Sequence, residues 1–442
     1  MPASSLPGNE NDEGQVSSDS VPIIDLTPSR KIIRRLFRSS KCRRCEWNGN
    51  PRELVAHGRK SFRETNPISP LECASCQLLS SAMQQLRNRV CETDSAKSSF
   101  IRKIYSGGYD YYIYEDNHTN IWSVFTTLDL RGTKFERCRI PTRPWICVDS
   151  LLKASAQWAL RQISVCLQSH QLCRRSQRDD SFLPARLINV GVKNLGQDVV
   201  LENRTSVPPG SLYAAFSYCW GTHKPECMTT PDTVGKNMKR IPWSTLPATF
   251  QDAVSFARSL GLKYLWIDSM CIIQGDIDDW THQAGQMYHV YRNAHVTLAA
   301  VYGHSSTSGL RSMSTESQSV RVAELRLGQD HCPIYMRPSH FLRHGWGDHS
   351  QAYPGVKDWA PLFCRAWAFQ ERLISPRVLY FTESEILFQC FSATACECGL
   401  CNVLNDAKSL RYFDKTRFFT VAVANGENRN NHSRDDISSW ID

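Results

Sequence analysis

The fold is decided by the stretch YLWIDSMCIIQ at residues 264–274, taken together with YAAFSYCWG at residues 213–221. Both begin with a continuous apolar run, which is typical of strands buried on both faces of a parallel sheet. Between them, apolar residues recur at helical spacing from Phe250 to Leu260, and Gly261 follows where such a helix would end. The order strand, helix, strand predicts two parallel strands joined by a helical crossover.

The same alternation continues downstream and predicts an α/β fold with a mostly parallel sheet flanked by helices. The further predicted elements are a helix with Trp280, Ala284, Met287, Tyr288 and Tyr291 on one face, a strand at 295–301, a short helix at 365–373, and strands at 378–381 and 386–391. Residues 303–360 do not follow this alternation of strands and helices and are interpreted as an insertion. The start of the first helix stays open between Pro247 as its first residue and a cap formed by Thr249 with Asp252.

Ligands of such sheets bind beyond the carboxyl ends of the strands. This rule selects residues 217–221 and 268–271, which follow the first two predicted strands. We therefore expect these two segments to meet at one edge of the sheet and to line any binding site.

Composition sets the broad class of the protein. The chain has 442 residues, which suits two modest domains, and a formal net charge of +9, which is small for this length. A secretory signal and a membrane-spanning apolar segment are both lacking in the sequence, which predicts a soluble protein of the cytoplasm. In that compartment the 18 cysteines are expected to be thiols or metal ligands.

Four regions are predicted along the chain. They are a disordered N-terminus at 1–29, a Cys-rich α+β region at 30–208, a well-patterned α/β domain at 210–401, and a polar tail at 402–442. The clearest basic run, at 30–44, is interpreted as a solvated helix face in preference to a nucleic-acid site.

Four ordered blocks resemble those of the fungal heterokaryon incompatibility (HET) domain. They read YAAFSYCWG at 213–221, LPATFQDA at 246–253, YLWIDSMCIIQ at 264–274 and RAWAFQERL at 365–373. Upstream, Cys166, His170 and Cys173, followed by LPARLI at 183–188, are also similar to the lead-in sequence of HET proteins. Ala366 stands where the family usually has glycine.

The resemblance implies a role in fungal non-self recognition, in which activation of the domain leads to growth arrest or cell death. HET domains are in turn thought to be similar to TIR domains, which implies a TIR-like (flavodoxin-like) fold and, by analogy with some TIR domains, cleavage of NAD. The partners it implies are other incompatibility proteins or further copies of the chain, with no membrane; nucleic acid is not expected.

Glu371 is the catalytic candidate that this resemblance implies. NAD-cleaving TIR domains carry a Trp followed four positions later by a catalytic Glu, and Trp367 and Glu371 have that spacing. Residues four apart share one face of a helix, so both can line one pocket. A carboxylate there would stabilise the positive charge that develops on the ribose as nicotinamide leaves. The alternative is that Trp367 lies in the core and Glu371 pairs with an arginine.

The candidate cofactor-binding residues are Ser217, Tyr218, Trp220, Gly221, Asp268 and Trp367. Aromatic rings can stack on nicotinamide or adenine, and an acid at a strand end can accept a hydrogen bond from a ribose hydroxyl. The alternative assigns Trp220 to packing and Asp268 to capping of the following turn. Cys271 is interpreted as a buried structural thiol in preference to a nucleophile.

Two Cys-x2-Cys pairs, Cys42 with Cys45 and Cys73 with Cys76, predict a structural zinc site. The alternative is four reduced thiols. Two further groups are weaker candidates for metal binding: the cluster Cys390, Cys396, Cys398 and Cys401, and the helical set Cys166, His170 and Cys173.

Three functions follow as hypotheses. The first is a HET effector of cell death with NAD cleavage as its output; the second is a HET module that acts by assembly without catalysis. The third is a zinc-stabilised regulator whose basic N-terminal region contacts nucleic acid. Glycine-rich phosphate loops, His-Glu-x-x-His and nucleophile-elbow motifs are lacking in the sequence, which disfavours the corresponding kinases, metalloproteases and hydrolases.

Overall fold

The computed structural model of the chain describes fourteen stretches of it. These are residues 23–25, 98–105, 108–115, 121–133, 135, 140–144, 146, 151–175, 179–191, 197–222, 224–310, 319–338, 360–383 and 385–399. The predicted zinc ligands Cys42, Cys45, Cys73 and Cys76 lie outside these residues, as do the basic run at 30–44, Cys401 and the tail at 402–442.

Within the described residues, the larger sheet has eight strands. In chain order they are β5 (Arg186–Asn189), β6 (Val200–Asn203), β7 (Tyr213–Ser217), β8 (Tyr264–Ile267), β9 (Val296–Ala300), β12 (Arg377–Phe381), β13 (Ile386–Cys390) and β14 (Thr394–Cys396). The other six strands form a second sheet. They are β1 (Ile23–Asp25), β2 (Ser98–Tyr105), β3 (Gly108–Glu115), β4 (Ile121–Phe125), β10 (Val320–Leu327) and β11 (Asp330–Pro338), in the order β1-β10-β11-β4-β3-β2.

The centre of the larger sheet is parallel, as the apolar runs predict. Strands β8, β7, β9 and β12 lie side by side in that order and run in one direction. Numbered along the chain this order is 2-1-3-4, which open doubly wound sheets of the flavodoxin type also have. Beyond β12 the next strand, β13, is antiparallel, and β5 is antiparallel to β8 at the other side. The sheet is therefore mixed at both margins, and the expectation of a TIR-like fold is not confirmed.

Seven α-helices lie in the described part of the chain. They are α1 (Leu151–Ser169), α2 (Gln171–Arg175), α3 (Val234–Asn237), α4 (Ala248–Ser259), α5 (Asp268–Cys271), α6 (Ile277–Asn293) and α7 (Ala366–Ile374). Three short 3-10 turns occur at Arg204–Ser206, Trp243–Thr245 and Pro361–Cys364.

Helices cover both faces of the parallel strands, and side-chain alternation along β7 shows which helix covers which face. The Tyr213 hydroxyl donates to the carbonyl of Val290 in α6, whereas the ring of Phe216 packs edge-on against Phe250 of α4. Odd positions of β7 therefore face α6, and even positions face α4. All five residues of β7 are buried, which explains its unbroken apolar sequence.

The ends of the two long crossover helices have simple local causes. Asp276 caps α6 by accepting hydrogen bonds from the backbone of Asp278 and Asp279, at 3.1 and 3.0 Å. Helix α4 ends before Gly261, whose φ of 73° is the left-handed conformation that favours glycine at this place.

The start of α4 follows neither of the two alternatives that the sequence leaves open, because the helix begins at Ala248. Pro247 stands at the cap position without a side-chain cap, and the Thr249 cap is not formed. Instead, the Thr249 hydroxyl accepts the backbone N–H of Gly309 at 3.0 Å, and Asp252 accepts that of Leu310 at 2.9 Å. Both side chains thus hold the loop that follows β9.

The structure adds detail to two of the predicted regions. On the predicted face of α6, Trp280 is 49% exposed and Tyr288 is 37% exposed, so part of this face lies at the surface. The insertion at 303–360 contains the hairpin β10–β11, which pairs with β4 in the second sheet.

An ion pair fastens β5 to the segment after β8. The Arg186 guanidinium pairs with Asp279 of α6 and also donates to the carbonyl of Cys271 at 2.7 Å. Asp279 additionally accepts the backbone N–H of Ile273 at 2.7 Å. Both side chains are nearly buried, at 10% and 15% exposure. Strand β5, which lies upstream of residue 210, therefore forms part of the same folded unit as the parallel sheet.

None of the helices in the described residues combines the length and the apolar character needed to span a membrane.

Replacing Arg186 with Met should lower the free energy of unfolding by about 3 kcal/mol, because Asp279 would be left buried without its cation. Denaturant unfolding at neutral pH measures the change. The matched control is Arg131→Met, which removes an arginine from an exposed pair with Asp129. It should leave the midpoint unchanged. Equal effects of the two substitutions would contradict the importance of the Arg186 pair.

Candidate functional site

The site lies at the carboxyl ends of β7 and β8, where the two strands run parallel and are paired up to Phe216 and Ile267. Ser217 is the last residue of β7, and Asp268 is the first residue after β8. By the alternation described above, Ser217 faces α6. The ring of Trp266 on β8 contacts Tyr291 of α6, and the charge of Asp268, the first residue of α5, acts on Tyr291 as well.

Glu371 reaches this edge from α7. Its Oε2 atom accepts a hydrogen bond from the Ser217 hydroxyl. The hydroxyl of Tyr291 interacts with the same carboxyl and donates to the carbonyl of Phe216 at 3.2 Å. The two predicted segments and the predicted catalytic residue therefore meet in one place, although they come from three separate parts of the chain.

Two carboxyl groups lie close together in this site, and burial disfavours the charge on each. Burial raises the pKa of Glu371 to about 7, and the negative charge of Asp268 raises it as well. The hydrogen bond from Ser217 and the positive charge of Arg365 act in the opposite direction. A carboxyl group with a pKa near neutrality can change its protonation state under physiological conditions.

Asp268 is held by hydrogen bonds on both oxygen atoms. Oδ2 accepts the indole N–H of Trp220 at 2.8 Å, and Oδ1 accepts the backbone N–H of Ser269 at 2.6 Å. Burial raises the pKa of Asp268, and these two hydrogen bonds oppose that effect. Asp268 thus caps the turn after β8, which is the alternative role considered for it from the sequence. It also fixes the orientation of the Trp220 ring.

Arg365 is the cation of the site. It precedes α7, donates to the carbonyl of Tyr218, and acts electrostatically on both Glu371 and Asp268. In the sequence, Arg365 is one of several arginines that could pair with Glu371, and Tyr291 lies on one face of a predicted helix. Arg365 lies six residues before Glu371 in the same sequence block, which could have indicated that the two residues are close. No local sequence pattern indicates that Tyr291 lies near Glu371.

Tyr218 does not provide a ring for stacking on a ligand. It is 2% exposed, its ring stacks on Phe216 and meets Phe250 edge-on, and its hydroxyl donates to Ser269 at 2.8 Å. The expectation of ligand stacking by Tyr218 is corrected accordingly: the residue belongs to the core and joins the two strand ends.

Gly221 has a structural reason for being glycine. Its φ is +77°, and a Cβ atom would lie 2.5 Å from the Cβ of Ser305. The absence of a side chain lets the segment after β7 approach the loop after β9. This packing role accounts for Gly221 without a cofactor.

Trp367 is 52% exposed, which excludes the alternative that it is a core residue. It lies four residues, about one helical turn, before Glu371 on α7. The helix therefore carries the exposed Trp367 ring one turn away from the buried Glu371 carboxyl group. Trp220 is half-buried. These two indoles are the aromatic groups of the candidate set that retain accessible surface.

Cys271 is buried, and burial raises the pKa of its thiol to about 12. The thiol is therefore protonated at neutral pH, which agrees with its interpretation as a structural residue.

Two other groups of described residues have the composition of metal sites. Cys166, His170, Cys173 and Cys390 form one, and Glu385, Cys396 and Cys398 form the other. The cysteines that are close in sequence near residue 390 are thus separated in the fold: Cys390 belongs to the first group, and Cys396 and Cys398 belong to the second.

The ionisation of Glu371 should make stability depend on pH. Below about pH 4.5 the carboxyl group is protonated in both the folded and the unfolded chain, and the folded state carries no penalty. As the pH rises toward about 7 the unfolded chain loses this proton first, so the free energy of unfolding falls, by about 3 kcal/mol in total. Glu371→Gln stays neutral and should lack this decline.

Denaturant midpoints at about pH 5 and about pH 8 measure the difference. Glu226→Gln, which neutralises an exposed carboxylate, is the control and should follow the wild type. Parallel pH profiles for the wild type and Glu371→Gln would contradict the raised pKa.

Comparison with known proteins agrees with the blocks seen in the sequence. The family model described as "Heterokaryon incompatibility protein (HET)" matches residues 213–371, which begin at β7 and end at Glu371. No curated protein and no solved structure matches the chain significantly. The match covers less than half of the 442 residues, and it supports the assignment of a heterokaryon incompatibility (HET) domain to residues 213–371 of this chain.

Proposed function

We propose that this protein acts in fungal non-self recognition and that its HET domain cleaves NAD at the bond between nicotinamide and ribose, with Glu371 as the catalytic residue. The observation that carries the proposal is the position of Glu371: a carboxyl group with a raised pKa, held by Ser217 at the carboxyl edge of a parallel sheet. This edge is where open α/β sheets bind ligands.

The chemistry fits an ionised Glu371. When the bond from ribose C1′ to the nicotinamide nitrogen breaks, its electron pair leaves with nicotinamide and positive charge develops on the ribose. A carboxylate beside C1′ stabilises that charge, and it can then take the proton of the water molecule that adds to C1′. The products are nicotinamide, ADP-ribose and a proton.

Binding requires surfaces for the rings and hydroxyl groups of the dinucleotide. Trp367 on α7 and Trp220 after β7 are partly exposed indoles on the elements that also carry Glu371 and Ser217. Such rings stack on nicotinamide or adenine. We assign Asp268 as a further acceptor for a ribose hydroxyl and Arg365 as a cation for a phosphate, because both act electrostatically on Glu371.

Purified full-length protein should release nicotinamide from NAD, and Glu371→Gln should reduce the rate by at least about 100-fold, the loss expected for a catalytic acid–base group. The wild-type rate should rise as the pH passes 7, because the ionised carboxylate is the active form. Glu226→Gln is the matched control, since it makes the same chemical change at an exposed position, and it should retain the wild-type rate.

A binding role for Trp367 is tested in the same assay. Trp367→Ala should raise KM more than it lowers kcat, whereas Trp280→Ala, which removes another half-exposed indole from a different helix, should change neither. Nicotinamide release that persists in Glu371→Gln, or that the folded wild type lacks in every oligomeric state tested, would overturn the proposed activity.

A HET module that acts by assembly, without catalysis, is the second candidate. Helices α6 and α7 are in contact and carry five exposed large apolar side chains. These are Ile277, Trp280, Tyr288, Trp367 and Phe369. Exposed apolar groups on adjoining helices are typical of surfaces that bind other proteins. The occupant would be another incompatibility protein or a second copy of the chain.

Expression in a fungal host separates the two candidates. If NAD cleavage is the output, wild-type protein should arrest growth, and Glu371→Gln at an equal level of soluble protein should not. If assembly is the output, Glu371→Gln should arrest growth as the wild type does. Normal growth with abundant soluble wild-type protein would contradict the cell-death role itself.

A further inference from the structure

A second cluster of reactive side chains lies away from the carboxyl groups. It consists of Cys166 on α1, His170 between α1 and α2, Cys173 on α2, and Cys390 at the end of β13. One nitrogen or sulfur atom of each residue lies within 4.8 Å of those of the other three. The three cysteines are buried, and His170 is partly buried.

Local structure explains how three of these four residues share one helical face. Cys166, His170 and Cys173 are spaced four and then three residues apart, which is the repeat of one helical face. The backbone hydrogen bonds from His170 N to Cys166 O (3.3 Å) and from Arg174 N to His170 O (3.0 Å) continue the helical path from α1 into α2. The fourth residue comes from a different part of the fold.

Cys390 is presented by a tight turn. Its backbone N–H donates to the carbonyl of Ala393 at 2.9 Å, so the chain folds back directly after β13. The turn brings the N–H of Ser392 to 3.4 Å from the Cys390 sulfur, and the Ser392 hydroxyl to 3.5 Å from the Cys173 sulfur. Donors aimed at sulfur are the outer contacts that orient thiolate ligands around a metal.

The dimensions suit a tetrahedral ion with sulfur and nitrogen ligands. Zinc bonds of about 2.3 Å to sulfur and about 2.0–2.1 Å to nitrogen, at tetrahedral angles, place two sulfur atoms about 3.8 Å apart and sulfur and nitrogen about 3.6 Å apart. His170 Nδ1 lies 3.3 Å from Cys390 Sγ, and the whole set falls within 4.8 Å. Small side-chain adjustments are enough to reach the ideal arrangement.

We propose that Cys166, His170, Cys173 and Cys390 bind one structural Zn²⁺ ion as a Cys3His site. Four protein ligands fill the coordination sphere, which is the composition of structural zinc sites and leaves no position for a substrate. The group of Glu385, Cys396 and Cys398 is a weaker candidate. It has three members, and Glu385 already accepts the backbone N–H of Cys398 at 2.8 Å.

The proposed ion would connect two parts of the fold that are far apart in the sequence. His170 and Cys390 are 220 residues apart, and both lie outside the segment that matches the HET family model. The ion would join helices α1 and α2 to the strand β13 beside the parallel sheet. The folded unit built around the HET segment would then depend on residues from both of its flanks.

Metal analysis of the purified full-length chain tests the proposal. Cys390→Ser and His170→Ala should each contain about one zinc ion per chain less than the wild type. Cys227→Ser and Cys332→Ser are the controls, since they change buried cysteines outside the cluster, and they should keep the wild-type content. Cys42→Ser with Cys45→Ser removes one of the two N-terminal pairs, so that the predicted four-cysteine zinc site there cannot form.

A spectroscopic measurement keeps the test decisive if a ligand variant fails to fold. X-ray absorption at the zinc edge, on the Cys42→Ser, Cys45→Ser protein, should show three sulfur atoms at about 2.3 Å and one nitrogen at about 2.0–2.1 Å. Adding His170→Cys should retain the ion and change the shell to four sulfur atoms.

Three outcomes would overturn the proposal. They are a wild-type zinc content that Cys390→Ser does not lower, a shell of oxygen ligands, and a disulfide between two of the four residues in protein purified under reducing conditions.

Discussion

Strand β7 pairs in parallel with β8 on one side and β9 on the other, and this pairing positions the helices and the candidate site. Because β7 lies between β8 and β9, its side chains alternate between α4 and α6, and its carboxyl end lies beside that of β8. Ser217 ends this strand and faces α6. Tyr218 and Trp220, which follow β7, and Asp268, which follows β8, take their positions from this pairing.

The site gathers two carboxyl groups, one arginine and several hydroxyl groups at a place where burial opposes charge. An isolated buried carboxylate would protonate, and the raised pKa of Glu371 is the compromise between burial and the partners that stabilise its ion. This arrangement costs folding free energy at neutral pH. Groups that reduce stability in this way are common at functional sites, because the same desolvation makes them reactive.

The folded unit is larger than the segment that matches the HET family model. Strand β5, upstream of that segment, pairs with β8 and brings Arg186 to Asp279. Helix α1 contributes Ala156, Ala159 and Ile163 to the main core, and β13 extends the sheet beyond Glu371. The antiparallel strands at both margins complete the hydrogen bonding of the parallel centre, and the proposed zinc ion would join the same two flanks.

The parallel strands, the helices between them and the HET segment can be predicted from the amino-acid sequence, because apolar periodicity and ordered blocks are local signals. The sequence also indicated that residues 217–221 and 268–271 would share one edge. Three features follow from the packing of the whole chain: Tyr218 is a core residue, Arg365 and Tyr291 lie around Glu371, and Cys390 joins Cys166, His170 and Cys173. Ser217 and Glu371 are 154 residues apart, and such contacts depend on strand order and helix packing, which no local pattern encodes.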